Sequence, residues 1–139
     1  MTRPAASPFV FHARVYYEDT DLGGVVYYAN YLRFLERART EWLLAMGVSQ
    51  AELLETRGLL FAITRVDIRY LRPARFEDRL AITVALARRR RASMDFDQRI
   101  HRGGPDGELL CTAQVSAACL DAAGLRPRPI PAHLFGEGD

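Results

Sequence analysis

Cysteine is scarce in this 139-residue chain, which carries only Cys111 and Cys119. In an extended strand rising ~3.3 Å per residue the two would stand roughly 26 Å apart, too far to bridge. With no CxxC spacing and no histidine cluster beside them, they read as buried core thiols, which excludes a disulfide framework and leaves a metal site unsupported. Long apolar runs are missing as well. None approaches the ~18 to 20 residues that a membrane-crossing helix needs, so membrane insertion is not expected. Charge of one sign is also lacking. A net charge of +2 does not imply a nucleic-acid partner, and only the local run Arg88 to Arg91 bears on that class. Interleaved aromatics for base stacking are absent there and the surrounding charge is mixed, so no nucleic-acid partner is expected. The first residues, MTRPAASPFVFH, contain no apolar stretch of roughly 7 to 15 residues and no cleavage site of the secretory kind, so the expected location is the cytoplasm.

What remains is the composition of a soluble globular protein, 49% hydrophobic and 26% charged, without repeats or low-complexity segments. Its length fits a single domain over 1–139. The proline-bearing ends, 1–8 and 126–131, read as a loose leader and a tail around an ordered core over about 9–131.

Hydrophobic periodicity changes along the chain. In FVFHARVYY, Phe9, Phe11, Ala13 and Val15 alternate with polar neighbours, the pattern of a half-buried strand. After a glycine-bearing turn the period becomes helical: Tyr31, Leu35, Ala38, Trp42 and Ala45 form the stripe of one long amphipathic helix. Glu36 with Thr40 and Arg37 with Glu41 stand four apart on it, as helix supports or as charges enclosed by a curling sheet. Ser49 and Glu52, in capping-box spacing, and then Gly58 frame a second, short helix. From there the chain is β. Val66, Ile68 and Tyr70 alternate with charged residues; Leu80, Ile82, Val84 and Leu86 form a second strand, and Met94, Phe96, Gln98 and Ile100 a third. LLCTAQVSAACL is a long last strand before a DAAG turn. One helix must then cover the apolar face of one mostly antiparallel sheet, an α+β arrangement in two layers.

The stretch YEDTDLGGVVYYAN (17–30) places Glu18, Asp19 and Asp21 ahead of Gly23 and Gly24, just before the long helix. The segment YYEDTDLGGVVYYANYLRFLERARTEWL resembles the opening of the 4-hydroxybenzoyl-CoA thioesterase family, especially the acyl-CoA thioesterases encoded beside the Tol-Pal system. RGLLFAITRVDIRYLRPARFEDRL, ASMDFDQRI and CTAQVSAACLDAAGLRPRPIP extend the similarity over 9–131. The resemblance implies a hotdog fold, an antiparallel sheet of five or six strands wrapped around the long helix. It also implies a homodimer or homotetramer with active sites between subunits, and hydrolysis of acyl-CoA without metal or organic cofactor, CoA being part of the substrate. A thioester on acyl carrier protein is an alternative substrate.

By that resemblance Asp21 is the catalytic carboxylate. Two routes are open to it, attack on the thioester carbonyl to give a mixed anhydride or proton removal from water. On its own, an aspartate in a turn is as well explained by an Asx turn or a helix cap. Glu18 and Asp19 are expected to be framework, paired with nearby arginines. A helix beginning near Tyr28 would offer unpaired N-H groups to an oxygen that becomes negative, and the resemblance assigns this to the Tyr28 amide. Many members of the Tol-Pal branch carry histidine there. Tyrosine is neutral at pH 7, with a pKa near ~10, so the expected role is the backbone's. Gly23 and Gly24 would let backbone approach the substrate closely, although two glycines there also read as a plain turn, and Gly24 and Val25 are the residues expected to contact it. Phe61 and Ala62 match a segment that a neighbouring subunit lends to the acyl site, although Phe61 also reads as a core aromatic. Arg89, Arg90, Arg91 and Ser93 match the region that holds CoA phosphates and pantetheine, although arginines there also read as a solvated turn guarding a sheet edge. A protein of another class, a non-catalytic hotdog that binds acyl thioesters or a protein partner, is the competing reading.

Overall fold

A computed structural model describes residues 8–135. Its elements run β1 (Phe9–Arg14), a single 3-10 turn (Tyr17–Asp19), α1 (Asn30–Ala45), α2 (Gln50–Arg57), β2 (Leu59–Tyr70), β3 (Arg79–Arg89), β4 (Ser93–Arg102) and β5 (Leu109–Asp121). The strands form one five-stranded antiparallel sheet in the order β1-β3-β4-β5-β2. The hairpins β3-β4 and β4-β5 make its centre, and β1 and β2 lie at its two edges. This α+β arrangement, a sheet curled about α1, is the hotdog fold expected from the sequence.

The core lies between α1 and the concave sheet face. Helical spacing buries Tyr31, Phe34, Leu35, Ala38, Trp42 and Leu43, and the period-two alternation brings Leu80, Ile82, Val84, Met94, Phe96, Gln98 and Ile100 against them. The helix stripe differs from its sequence reading at one end. Ala45 is exposed, while Phe34 and Leu43 join the buried face, because a 3.6-residue period drifts off a fixed sequence of steps within four turns. The short helix starts as expected. The Ser49 hydroxyl accepts from the Glu52 N-H at 3.2 Å, and Gly58 ends the helix at φ 64°. Both cysteines are buried and unpaired, and burial pushes the Cys111 thiol up to about 12, which removes it as a nucleophile near neutrality.

The segment after β5 is not a loose tail. Pro127 bridges Leu120, the Ile130 N-H donates to the Arg91 carbonyl at 2.8 Å, and Ile130 and Phe135 are buried. Phe135 packs against Trp42 with ring centroids 5.4 Å apart. The tail therefore closes one end of the core. The expected leader lies outside the described residues except for Pro8.

One expected face is left open. Val66 and Tyr70 alternate with charged residues as the sequence suggests, yet both are exposed, as is Ile63. They lie on β2, whose outer edge has no neighbouring strand among the described residues. The register also shifts between Ile63 and Arg65, a bulge that bends this edge.

Candidate active site

The acidic turn is built almost entirely from backbone hydrogen bonds. The Asp19 carboxylate accepts from the Tyr16 N-H at 2.8 Å and closes the 3-10 turn. Asp19 is thus framework, held by an amide; among the described residues neither it nor Glu18 pairs with an arginine, contrary to expectation. Thr20 bridges Val26, and the Asp21 N-H donates to the Val25 carbonyl at 2.9 Å, so 20–26 form a miniature hairpin with Asp21 at its corner.

The two glycines have separate jobs there. The Gly23 N-H donates to Asp21 Oδ1 at 2.8 Å, and a Cβ on Gly23 would meet that oxygen at 3.3 Å. Gly24 turns the chain at φ 76°, in the left-handed region. The Asx turn and a chemical role for Asp21 are therefore compatible. Oδ1 is fixed by an amide, and Oδ2 has no hydrogen-bond partner among the described residues on an exposed surface.

The helix does not begin at Tyr28. The first helical residue is Asn30, and Tyr28 stands in the turn before it. The N-H groups of Asn30, Tyr31 and Leu32 donate to the carbonyls of Tyr27, Tyr28 and Ala29. Tightening of this first turn consumes those donors, and among the described residues the Tyr28 and Ala29 N-H groups make no hydrogen bond. No side chain caps the end and no acidic residue occupies the first turn, so the positive end of the helix is left unneutralised. An aromatic cluster braces it. The Tyr70 hydroxyl donates to the Tyr28 carbonyl at 3.0 Å, and the Tyr70 ring meets Tyr31 edge-on at 5.1 Å and Tyr28 at 6.3 Å. Tyr28, Tyr31, Tyr70 and Pro73 line a shallow cavity of about 280 Å3.

Behind the acidic turn lies the β2-β3 connection, 71–78. The Ala74 carbonyl accepts from the Val26 N-H at 2.8 Å, Arg75 bridges Val25, and the Ala74 N-H donates to the buried Tyr31 hydroxyl at 2.9 Å. Arg102 pins this connection from β4. It donates to the Pro73 carbonyl at 2.9 Å and to Glu108 at 3.1 Å, and it pairs with the Asp78 carboxylate. Gly24 and Val25, expected near the substrate, therefore belong to a rigidly backed loop.

The remaining expected residues gather elsewhere. Ala62 and Ser93 share a row through Ala118, and Phe61 faces Cys119 next to it. Arg89 ends β3, and Arg90 and Arg91 lie in the neighbouring β3-β4 turn. Phe61 and Tyr70 stand roughly 30 Å apart along β2 at ~3.3 Å per residue, so one chain holds two half-sets at opposite ends of an edge strand. The arginines are not equally available. Arg89 donates to the Pro131 carbonyl at 3.2 Å and lies over the Phe135 ring, and Arg90 pairs with Asp95 at 2.7 Å. Arg91 is exposed and makes no ion pair among the described residues.

Sequence reasoning missed Tyr70, Arg102 and Arg39. Tyr70 acts through a backbone carbonyl, and Arg102 joins Glu108 to the Pro73 carbonyl and the Asp78 carboxylate, both distant in sequence, which no residue pattern announces. Arg39 did have a signal, because Gln98 breaks the apolar series Met94, Phe96, Ile100 and a buried amide needs a partner. Arg39 Nη1 donates to Gln98 Oε1 at 3.0 Å, while Gln98 Nε2 donates to the Leu35 carbonyl at 3.1 Å.

With this geometry in place, residues 15–136 match the thioesterase-like superfamily. The chain belongs to it. Among curated proteins it is 41% identical over 126 residues to the acyl-CoA thioesterase YbgC of Haemophilus influenzae, covering 91% of this chain and 90% of the relative. It is 32% identical over 124 residues to a 1,4-dihydroxy-2-naphthoyl-CoA hydrolase of Thermosynechococcus vestitus, covering 89% of this chain and 84% of the relative. Among solved structures, a probable thioesterase from Bartonella henselae superposes with a TM-score of 0.83 at 36% identity, covering 90% of this chain and all of that one. The matched span runs from just before the acidic turn through the packed tail, so both groups of expected residues of this member of the thioesterase-like superfamily fall within it.

Proposed function

We propose that the protein is an acyl-CoA thioesterase in which Asp21 serves the cleavage step and the turn before α1 receives the carbonyl oxygen. The observation that carries this reading is the state of Asp21: one carboxylate oxygen held by the Gly23 N-H at 2.8 Å, the other unpaired, on a loop that leads into an uncapped helix start. A thioester whose oxygen accepts from the free Tyr28 N-H has its carbonyl carbon made electrophilic as charge builds on that oxygen. Asp21 then either attacks the carbon, expelling CoA thiolate and leaving an anhydride for water to open, or takes the proton of a water that attacks instead. Both routes yield the free acid and CoA and call for no metal or organic cofactor.

A homodimer, or a homotetramer built from it, completes the site. Antiparallel pairing of β2 with the β2 of a second copy reverses its ends, setting Phe61, Ala62, Ser93 and Arg91 of one chain beside the Asp21 loop of the other. The unpaired edge and the exposed Ile63, Val66 and Tyr70 favour such pairing. Arg91 would then meet the CoA phosphates, with Arg89 and Arg90 positioning the turn. Relatives named as acyl-CoA thioesterases favour CoA over acyl carrier protein as the thiol carrier; a cytoplasmic setting and a Tol-Pal association extend the same reading. A steady-state screen of purified protein tests it, reading thiol release from acyl-CoAs of graded length and from benzoyl and hydroxybenzoyl thioesters. Turnover of at least one class, rising with dimer concentration, is expected. Absence of turnover across the set with intact acyl-CoA binding would favour the non-catalytic binding module instead.

A further inference from the structure

Arg39 is an inward-facing cation that makes no ion pair among the described residues. It sits on α1 between the buried Leu35 and Leu43, and its one hydrogen bond among the described residues goes to the neutral Gln98 amide. No carboxylate among the described residues pairs with it. Glu36, one turn away, is exposed and takes the Thr40 hydroxyl at 3.5 Å. Burial lowers the arginine's pKa, and the exposed Glu36 carboxylate offsets this only in part, the direction expected where a charge loses more water than a counter-ion repays. A guanidinium carries five donors, so several remain unused.

The place it occupies is a groove between α1 and β2. One part, of about 440 Å3, is lined by Leu32, Arg33, Arg37, Ile63 and Val66; the next, of about 240 Å3, by Thr40, Leu43, Gln50 and Phe61. Arg39, Glu36 and Ile63 line both. The groove thus starts in the first turn of α1, which follows the Tyr28 turn, and runs on to Phe61 near the other end of β2. Arg39 lies roughly 15 Å along the axis from that first turn at ~1.5 Å per residue, with its side chain inclined back toward it. The walls are apolar and the cations on them outnumber the single carboxylate.

We propose that Arg39 selects the acyl group, the groove accepting a medium-length acyl chain whose far end carries a carboxylate that the guanidinium binds. The proposal rests on the thioesterase reading above and names its substrate class, the CoA monothioesters of dicarboxylic acids. Apolar wall contacts hold the methylenes, and Arg39 rejects a methyl terminus because a half-buried cation would lose its remaining water without compensation.

Paired substrates test this: suberyl-CoA against octanoyl-CoA, with adipyl/hexanoyl and sebacyl/decanoyl pairs to fix length, in wild type, R39K and R39M. Wild type is expected to prefer one ω-carboxy member by about 10-fold or more in kcat/KM, the scale of a charged hydrogen bond. R39M abolishes the preference and R39K retains part of it. Because R39M strands the buried Gln98 oxygen, R39M/Q98L serves as a second variant if the single one melts. Equal rates within every wild-type pair, or a preference unchanged in R39M or R39M/Q98L, overturn the proposal. Calorimetric affinities of D21N for the same pairs separate it from the catalytic reading. Selectivity in binding without turnover upholds Arg39's role even if wild type hydrolyses none of them, and equal affinities contradict it.

Discussion

The Tyr70 hydroxyl, at the last residue of the edge strand, donates at 3.0 Å to the carbonyl of Tyr28 in the turn that precedes α1. Sheet edge and helix start are thereby one unit. Tyr70→Phe keeps the ring contacts with Tyr31 and removes only this bond. The bond is largely exposed, so its stability effect is small, about 0.5 kcal/mol in thermal or denaturant unfolding. The Tyr28 peptide would lose its orientation, and kcat is expected to fall several-fold with little change in KM. An unchanged kcat would show that the turn holds its geometry without the strand.

Gly23 and Gly24 separate stability from activity. Gly24→Ala must hold a side chain at φ 76°, which costs about 1 kcal/mol of stability. Gly23→Ala brings a Cβ to within 3.3 Å of Asp21 Oδ1, so the carboxylate must shift by a few tenths of an ångström. Melting curves and kcat measured on both variants should show the larger stability loss in Gly24→Ala and the larger rate loss per unit of stability in Gly23→Ala.

Arg102 holds the platform beneath the acidic turn through Asp78, Glu108 and the Pro73 carbonyl. Arg102→Met leaves a partly enclosed carboxylate and carbonyl without their donor, a loss of about 1 to 3 kcal/mol. Amide exchange should quicken first in 72–78 and in 20–26, whose backbone bonds depend on that connection. Uniform quickening across the sheet would instead mean that Arg102 supports the fold as a whole.

Asp95 gives a pH dependence. The Ser116 hydroxyl donates to it at 2.8 Å, and with Arg90 beside it this holds its carboxyl below the usual carboxylate range. A depressed folded pKa stabilises the protein above the ordinary aspartate value, and that contribution is lost as pH falls through the folded pKa. Ser116→Ala moves the folded pKa back toward the ordinary one. Acid unfolding should then begin at higher pH, with stability near pH 7 also reduced; NMR titration of Asp95 reads the shift directly.

Much of the fold was legible because alternation and helical spacing record burial directly: Leu80, Ile82 and Val84 inward, Leu35 and Ala38 on one helical face. The role of β2 was less so. Val66 and Tyr70 alternate like core residues, yet both are exposed, and sequence periodicity does not distinguish an interior from an unpaired edge. At the site, Asp21 and the two glycines stood out as a motif. Tyr70 did not, since it binds a carbonyl that any residue could supply, nor did Arg102, whose partners Pro73 and Asp78 lie more than twenty residues away in sequence. The final proline-rich segment looked loose because its packing depends on Ile130 and Phe135 reaching a core built far earlier in the sequence.

The most direct measurement is the Asp21→Asn variant, assayed together for acyl-CoA binding and for thiol release. Asparagine keeps an oxygen to accept from the Gly23 N-H but removes the charge and the basic oxygen. Turnover is expected to fall by about 10³-fold or more, with the acyl-CoA dissociation constant changed by less than about 3-fold. Hydrolysis at the wild-type rate would contradict the assignment of Asp21, whatever the substrate.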